Sequence, residues 1–283
     1  MFPLERGEPG NVDDSRLGPG YRGFDGIKIM HGASTVPEVA LTFDDGPHPQ
    51  STPRLLQILD QYHVKATFFV VGKMVDRYPD LIRAEIASGH SVGNHTYHHI
   101  NLLRASDEEV MLEVQACGDA LKAITHQEPH LFRPPGGDYD NRVAQDAAAL
   151  GYKTVLWTLN PGDYRNPGVG VIESRLLSRI RDGSIILLHD GAPQTMDMLP
   201  MLLEYLQSHG FLAVTVDRLI EDSKNAPMER SRTVATHRSP AQPLYKANPD
   251  SALHWPLGQM FAPVDRTASG NAPVIPHSSV APH

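Results

Sequence analysis

The chain has 283 residues, with 25 Lys and Arg against 33 Asp and Glu for a formal charge of −8, enough for one large α/β barrel with extensions or for two ordinary domains. An acidic balance argues against nucleic acid or an anionic membrane surface as a partner. The single cysteine, Cys117, excludes an internal disulfide and any cysteine-based zinc cage, so a metal would fall to carboxylates and the 15 histidines.

Residues 1–36 are rich in Gly, Pro and charge and are expected to form an N-terminal arm. The opening MFPLERGEPGNVDDSR lacks the apolar stretch of a secretion signal, and no run approaches the roughly 18 to 20 apolar residues of a membrane span. The expectation is therefore no transmembrane segment, with the compartment left open.

Short β-branched or aromatic runs predict buried strands at 39–43 (VALTF), 66–71 (ATFFVV), 90–94, 130–133, 152–157 (YKTVLW), 184–188 (SIILL) and 211–216 (FLAVTV). Helices are expected between them. After the first strand, Ser51 or Thr52 offers an N-cap and Pro53 a first turn, ahead of Leu55, Leu56, Ile58, Leu59 and Tyr62 on one face. Asp107, Glu108 and Glu109 open a helix over 107–125, where Val110, Val114, Cys117, Leu121 and Ile124 recur at steps of three and four. Further helices are predicted at 172–181 and 194–208. Repeated βα units of this kind predict an α/β fold with a parallel sheet, and about seven of them a closed or nearly closed barrel. A flat doubly wound sheet is the alternative. The body spans 37–222, and the Pro-, Ala- and Ser-rich stretch 223–283 has no period with which to build a core, so a disordered tail is expected.

The reactive residue types follow strands: Asp44 and Asp45 the first, His95 and His99 the third, Arg133 the fourth, Asp163 the fifth, His189 and Asp190 the sixth. In a barrel of parallel strands those ends share one rim, where such folds place their sites. In TFDDGP, two adjacent carboxylates point in different directions, so one can bind a metal while the other faces a substrate; a turn or cap role before Gly46-Pro47 is the plainer reading of either. In GNHTYHH, His95 and His99 are spaced i, i+4, as on one helical turn that shares a metal, and His95 with His98 is the competing pair. Two histidines and one aspartate would leave positions open for water and substrate, which is a catalytic pattern.

TFDDGP, HTYHH, FRPPGG, WTLNPGDYRNPG and IILLHD occur in the order and spacing of the five motifs of the polysaccharide deacetylases of the NodB-homology type, carbohydrate esterase family four, and the chain resembles that family over roughly residues 37–222. The resemblance implies a distorted (β/α) barrel of the NodB-homology fold, an Asp-His-His site for a divalent metal, and hydrolytic removal of acetyl from an acetylated poly- or oligosaccharide. The N-acetyl of GlcNAc units in peptidoglycan or chitin is the first expectation, and O-acetyl of the xylan type the second. By position, Asp44 is the implied general base, Asp45, His95 and His99 the metal ligands, and Thr96 the hydroxyl that steadies their loop. Arg133 tethers the base, and the Gly136 N–H serves the oxyanion. His189 is the implied general acid, oriented by Asp163, and Leu187 lines the pocket for the acetyl methyl. The donor set suits Zn²⁺, with Co²⁺, Ni²⁺ or Mn²⁺ as alternatives.

Three positions depart from the family pattern. Gly136 stands where an aromatic residue is common, Asn160 replaces an acid, and Tyr164, expected to touch substrate, replaces a tryptophan. Asp190 is read as a cap for the following loop and His98 as a bystander. A glycosidase using Asp44 with Asp163 and a sugar-binding barrel without turnover are the rival readings.

Overall fold

The computed structural model of the chain describes residues 26–226; the first part of the expected arm and the tail from residue 227 onward lie outside them. Eight strands are present among the described residues: β1 (Lys28–Ile29), β2 (Glu38–Asp44), β3 (Thr67–Val70), β4 (Ser91–Asn94), β5 (Leu131–Phe132), β6 (Lys153–Val155), β7 (Ile185–His189) and β8 (Leu212–Val214). They alternate with α1 (Thr52–Gln61), α2 (Gly72–Arg77), α3 (Pro79–Ala87), α4 (Asp107–Thr125), α5 (Asn141–Ala149), α6 (Val169–Leu177), α7 (Pro193–Ser208) and α8 (Val216–Asn225). All seven expected strands are found within two residues of their expected bounds, and α4 coincides with its expected span. The sequence patterning carried no signal for β1, because two residues have no period.

Every strand pairing is parallel, in the order β1-β6-β5-β4-β3-β2-β7 with β8 also on β2. At Ala40, β2 pairs with both β7 and β8, and at Thr42–Asp44 with both β7 and β3. A strand has two edges, so β8 and β3 share one edge of β2, β8 along its start and β3 along its end. The sheet curls until the chain beyond β6 meets β7 at a Leu159–Ile186 bridge, where Thr158 N–H donates to Ile185 C=O and Leu187 N–H to Leu159 C=O, both at 2.9 Å. The result is a barrel distorted by one irregular seam, not the flat doubly wound alternative.

Alternation along the strands sorts the side chains into an interior core and outer clusters beneath the helices, one of them joining Phe132 of β5 to Val110 and Val114 of α4 and Val143 of α5. Val39, Leu41 and Phe43 of β2 and Ile186 and Leu188 of β7 face outward, packing with Leu55 and Leu59 of α1 and Leu199, Leu202 and Leu203 of α7. Ala40, Phe69, Leu131, Val155, Trp157, Ile185 and Leu187 fill the barrel interior. The same alternation points Asp44, Arg133 and His189 inward, one step beyond the apolar filling and at the C-terminal end of the strands.

The N-terminal end is closed by α8, whose Val216, Leu219 and Ile220 complete the interior core. Polar ties hold it. Val216 N–H donates to Thr67 Oγ1 at 2.9 Å, Ser91 Oγ to Asp217 at 2.8 Å, and His130 Nε2 to Asp217 at 2.7 Å. Arg218 bonds Asp222 at 2.5 Å beside the buried Glu38. The hydrogen bond to Asp217 raises His130 above its ordinary value, against partial burial. Burial, reinforced by the Asp222 carboxylate, pushes Glu38 up to about 7.

Both groups hold a proton more tightly in the folded chain than in the unfolded one. Their contributions are therefore complete below the unfolded pKa values and are lost as pH rises through the folded ones. The melting temperature is expected to fall from about pH 5 to about pH 8, and to do so less steeply in a Glu38→Gln, His130→Ala double variant. Calorimetric scans across that range check this, and parallel slopes for the two proteins would refute it.

Candidate active site

The inward-facing end of β2 places Asp44 beside His189, its cross-strand partner on β7. Arg133, just past β5, is wholly buried beneath them. Its Nη1 donates to Asp44 Oδ1 and to Thr42 Oγ1, each at 2.7 Å, while Nε and Nη2 donate to the carbonyls of Val155 and Leu156 at 3.1 Å. The guanidinium carbon lies 4.1 Å from the Phe69 ring centroid and 5.5 Å from that of Trp157. Burial lowers its pKa against the opposing charge of Asp44, but a guanidinium keeps its proton at neutral pH.

Asp45 follows with φ 74, which turns its carboxylate away from Asp44 and toward two imidazoles. Its Oδ1 lies 3.1 Å from His99 Nε2 and 3.6 Å from His95 Nε2, and the two rings stand 5.0 Å apart. The helical turn expected for His95 and His99 is not there. The loop beyond β4 is irregular, with Thr96 at φ 65 and His99 at φ 60. Left-handed conformations at non-glycine residues cost about 1–2 kcal/mol each, so the loop must be held from outside. Asn94 Oδ1 accepts from Thr96 N–H at 2.9 Å and Thr96 Oγ1 from His99 N–H at 3.0 Å. His98, the competing ligand, points elsewhere: its Nδ1 lies 2.7 Å from Glu113.

One ligand atom from each of Asp45, His95 and His99 lies within 4.8 Å of the others, the single group of this kind among the described residues. The chemistry of the set fits a divalent cation. His95 Nδ1 lies 2.7 Å from the Arg133 carbonyl, an acceptor that requires a proton on Nδ1 and leaves the Nε2 lone pair facing Asp45. Burial alone would raise Asp45. The imidazoles of His95 and His99 facing its oxygen outweigh it and hold the carboxyl well below the usual range.

Across the cleft, Asp163 is fully buried in a short 3₁₀ turn, Asp163–Arg165. Its Oδ1 accepts from His189 Nδ1 at 2.8 Å, and its Oδ2 accepts from His189 N–H at 2.8 Å and from Thr195 Oγ1 at 2.6 Å. Nδ1 is thereby the donor and Nε2 faces the cleft. Burial lowers His189, but the bond to Asp163 and the charges of Asp163, Asp44 and Asp45 prevail and its pKa is raised.

Of the remaining expected residues, Leu187 is buried one inward step below His189. The Tyr164 ring is 47% exposed and lies 5.1 Å from the His189 ring. Gly136 is exposed at φ 64, and a Cβ there would meet nothing within 4 Å. The turn around it uses the N–H groups of Gly137 and Asp138, leaving that of Gly136 outside its bonding. Asn160 serves locally, accepting from Gly162 N–H at 2.9 Å.

Asp190 does not cap the following loop. It is buried and reaches back to the β2–α1 loop, accepting from Ser51 Oγ at 2.5 Å and from Thr52 Oγ1, so the expected cap hydroxyls of α1 hold Asp190 instead. Thr195, His48 and Asn166 escaped the sequence reading, since nothing local marks them. His48, Asn166, Tyr164 and Pro193 line a cleft of about 380 Å³ whose wall includes Asp45 and His189.

Residues 31–155 match the family model described as polysaccharide deacetylase. A peptidoglycan-N-acetylglucosamine deacetylase of Bacillus cereus is 40% identical over 189 residues, covering 64% of this chain and 87% of that protein. A chitooligosaccharide deacetylase of Bradyrhizobium is 41% identical over 188 residues, covering 61% of this chain and 86% of that one. Among solved structures, a pseudoenzyme of the CE4 family from Bacillus anthracis superposes with a TM-score of 0.66 at 28% identity, over 69% of each chain. Similarity of this extent, over the part of the chain that builds the curled sheet and its rim, makes the protein a member of the polysaccharide deacetylase family, the CE4 carbohydrate esterases.

Proposed function

We propose that the protein removes the N-acetyl group from GlcNAc units of peptidoglycan or of chitin-type oligosaccharides, using a divalent cation, Zn²⁺ first among the candidates. The observation that carries this reading is the gathering of Asp45, His95 and His99 beside Asp44 on one rim, with an Asp163-held His189 opposite. The relatives named for peptidoglycan and chitooligosaccharide substrates support the substrate class.

A cation held by Asp45, His95 and His99 would polarise the acetyl carbonyl and acidify the attacking water. Asp44 takes that water's proton. Arg133 engages its Oδ1, leaving Oδ2 toward the imidazoles, 3.7 Å from His95 Nε2. The Gly136 N–H, which the turn around it leaves unused, donates to the developing oxyanion. His189 then delivers the proton on Nε2 to the departing nitrogen, while Asp163 keeps Nδ1 occupied. An amine leaves poorly without that proton, and a protonated imidazole poised opposite the base suits an amide more than an ester.

The glycosidase reading loses its second carboxylate, because Asp163 is fully buried and both of its oxygens are committed. A CE4 pseudoenzyme among the structural relatives makes turnover a matter of this chain's own residues. Here the base, the triad and the acid are all present.

Incubation of the zinc-loaded protein with N-acetyl-chitooligosaccharides, followed by mass spectrometry, is expected to show stepwise loss of acetyl groups. No mass change on these or on peptidoglycan fragments would sink the proposal. Chelation is expected to abolish acetate release and added Zn²⁺ to restore it. Asp44→Asn is expected to lower kcat by about 10²- to 10⁴-fold with a smaller change in KM; a variant of undiminished kcat would remove Asp44 from the role of base.

A further inference from the structure

The loop carrying His95 and His99 is suspended between two elements that supply no metal ligand. At the start of α2, Gly72 N–H donates to Thr96 C=O at 2.9 Å and Lys73 N–H to Tyr97 C=O at 3.0 Å. A Cβ on Gly72 would stand 3.0 Å from the Tyr97 Cα and 3.1 Å from the Cys117 Cα, so loop, corner and α4 press together there. From α4, the Val114 carbonyl accepts from Asn94 Nδ2 at 2.7 Å and the Glu113 carbonyl from Tyr97 N–H at 3.1 Å.

The Glu113 side chain adds a different kind of hold. Its Oε2 accepts from His98 N–H at 2.8 Å, and its Oε1 lies 2.7 Å from His98 Nδ1. Glu113 is 12% exposed and His98 60%, so the carboxylate is the fixed member and the histidine is drawn onto it. The two peptide N–H groups leading into His99 are both pinned, that of His98 by Glu113 and that of His99 by Thr96 Oγ1. His99 itself sits at φ 60, a conformation that persists only where its surroundings over-determine it.

We propose that Glu113 is a positioning residue for the metal loop, gripping His98 so that His99 presents Nε2 to the position shared with Asp45 and His95. The inference rests on the reading of those three residues as a metal site. It also gives His98 a task as the handle by which α4 holds the loop.

The test is Zn²⁺ affinity, read by competition with a chromophoric chelator on the full chain, together with the melting temperature of the metal-free protein. Glu113→Ala is expected to weaken Zn²⁺ binding by about 10- to 100-fold, the usual effect of removing a group that orients a ligand. The metal-free melting temperature should change little, because neither Glu113 nor His98 is among the buried core residues. Glu113→Gln keeps an acceptor for His98 N–H and is expected to bind within about threefold of the parent, and His98→Ala to fall between the two variants. In deacetylation assays, excess Zn²⁺ should restore the kcat of Glu113→Ala while its half-saturating Zn²⁺ concentration stays raised.

A folded Glu113→Ala protein that binds Zn²⁺ within about twofold of the parent would overturn the clamp and leave the metal site standing. A parent protein that binds no Zn²⁺ would overturn both. Should Glu113→Ala fail to fold, His98→Ala decides, and an affinity unchanged from the parent counts against the clamp.

Discussion

The buried Arg133–Asp44 pair is the constraint on which the rest of the site depends. A guanidinium inside a barrel of apolar side chains has no water to solvate it, so each of its N–H groups needs a protein acceptor. Four of the five find one in the Asp44 carboxylate, the Thr42 hydroxyl and the carbonyls of Val155 and Leu156. Removing the guanidinium or its carboxylate would leave an uncompensated buried charge, a loss of about 3–5 kcal/mol in comparable pairs. The same residue also accepts from His95 through its main-chain carbonyl. One side chain and its own peptide therefore set both the direction of the Asp44 carboxylate and the tautomer of His95.

Around that pair the barrel divides stability from chemistry. Strand alternation sends one set of residues out to the helices and the other into the interior, and the last inward positions of β2 and β7, with the one just past β5, carry Asp44, His189 and Arg133. Three of the six left-handed residues other than glycine among the described residues sit at the same rim. Asp45, Thr96 and His99 are all left-handed without being glycine, and each lies in or between the members of the triad. Charge is handled similarly: Asp163 and Asp190 are buried carboxylates on either side of His189, each satisfied by hydroxyl or N–H donors from a neighbouring segment.

Much of this arrangement was legible in the chain itself. TFDD, the HTYHH run, FRPP and LLHD each end or follow a strand, and parallel strands share one rim, so their convergence is already implied by the chain. The local geometry was less legible. Spacing of four between His95 and His99 suggested a helix because side chains meet at that step on a helical surface, yet the rings meet through a loop with two left-handed residues. Asp190 looked like a cap for the loop after β7 and instead binds the hydroxyls that were expected to cap α1. Thr195 and Glu113 carried no signal at all, since a hydroxyl on one helix and a carboxylate on another acquire meaning only from what they touch.

The α/β class, seven of the strands, the order of the motifs and the family they resemble are written in short-range periodicity and in residue types placed next to strand ends. Tertiary structure alone decided the seam that closes the barrel, the two-residue strand β1, the exclusion of His98 from the triad, and the partners that hold Asp163, Asp190 and the histidine loop. Those outcomes depend on contacts between segments far apart along the chain, where no period or spacing records which donor will reach which acceptor.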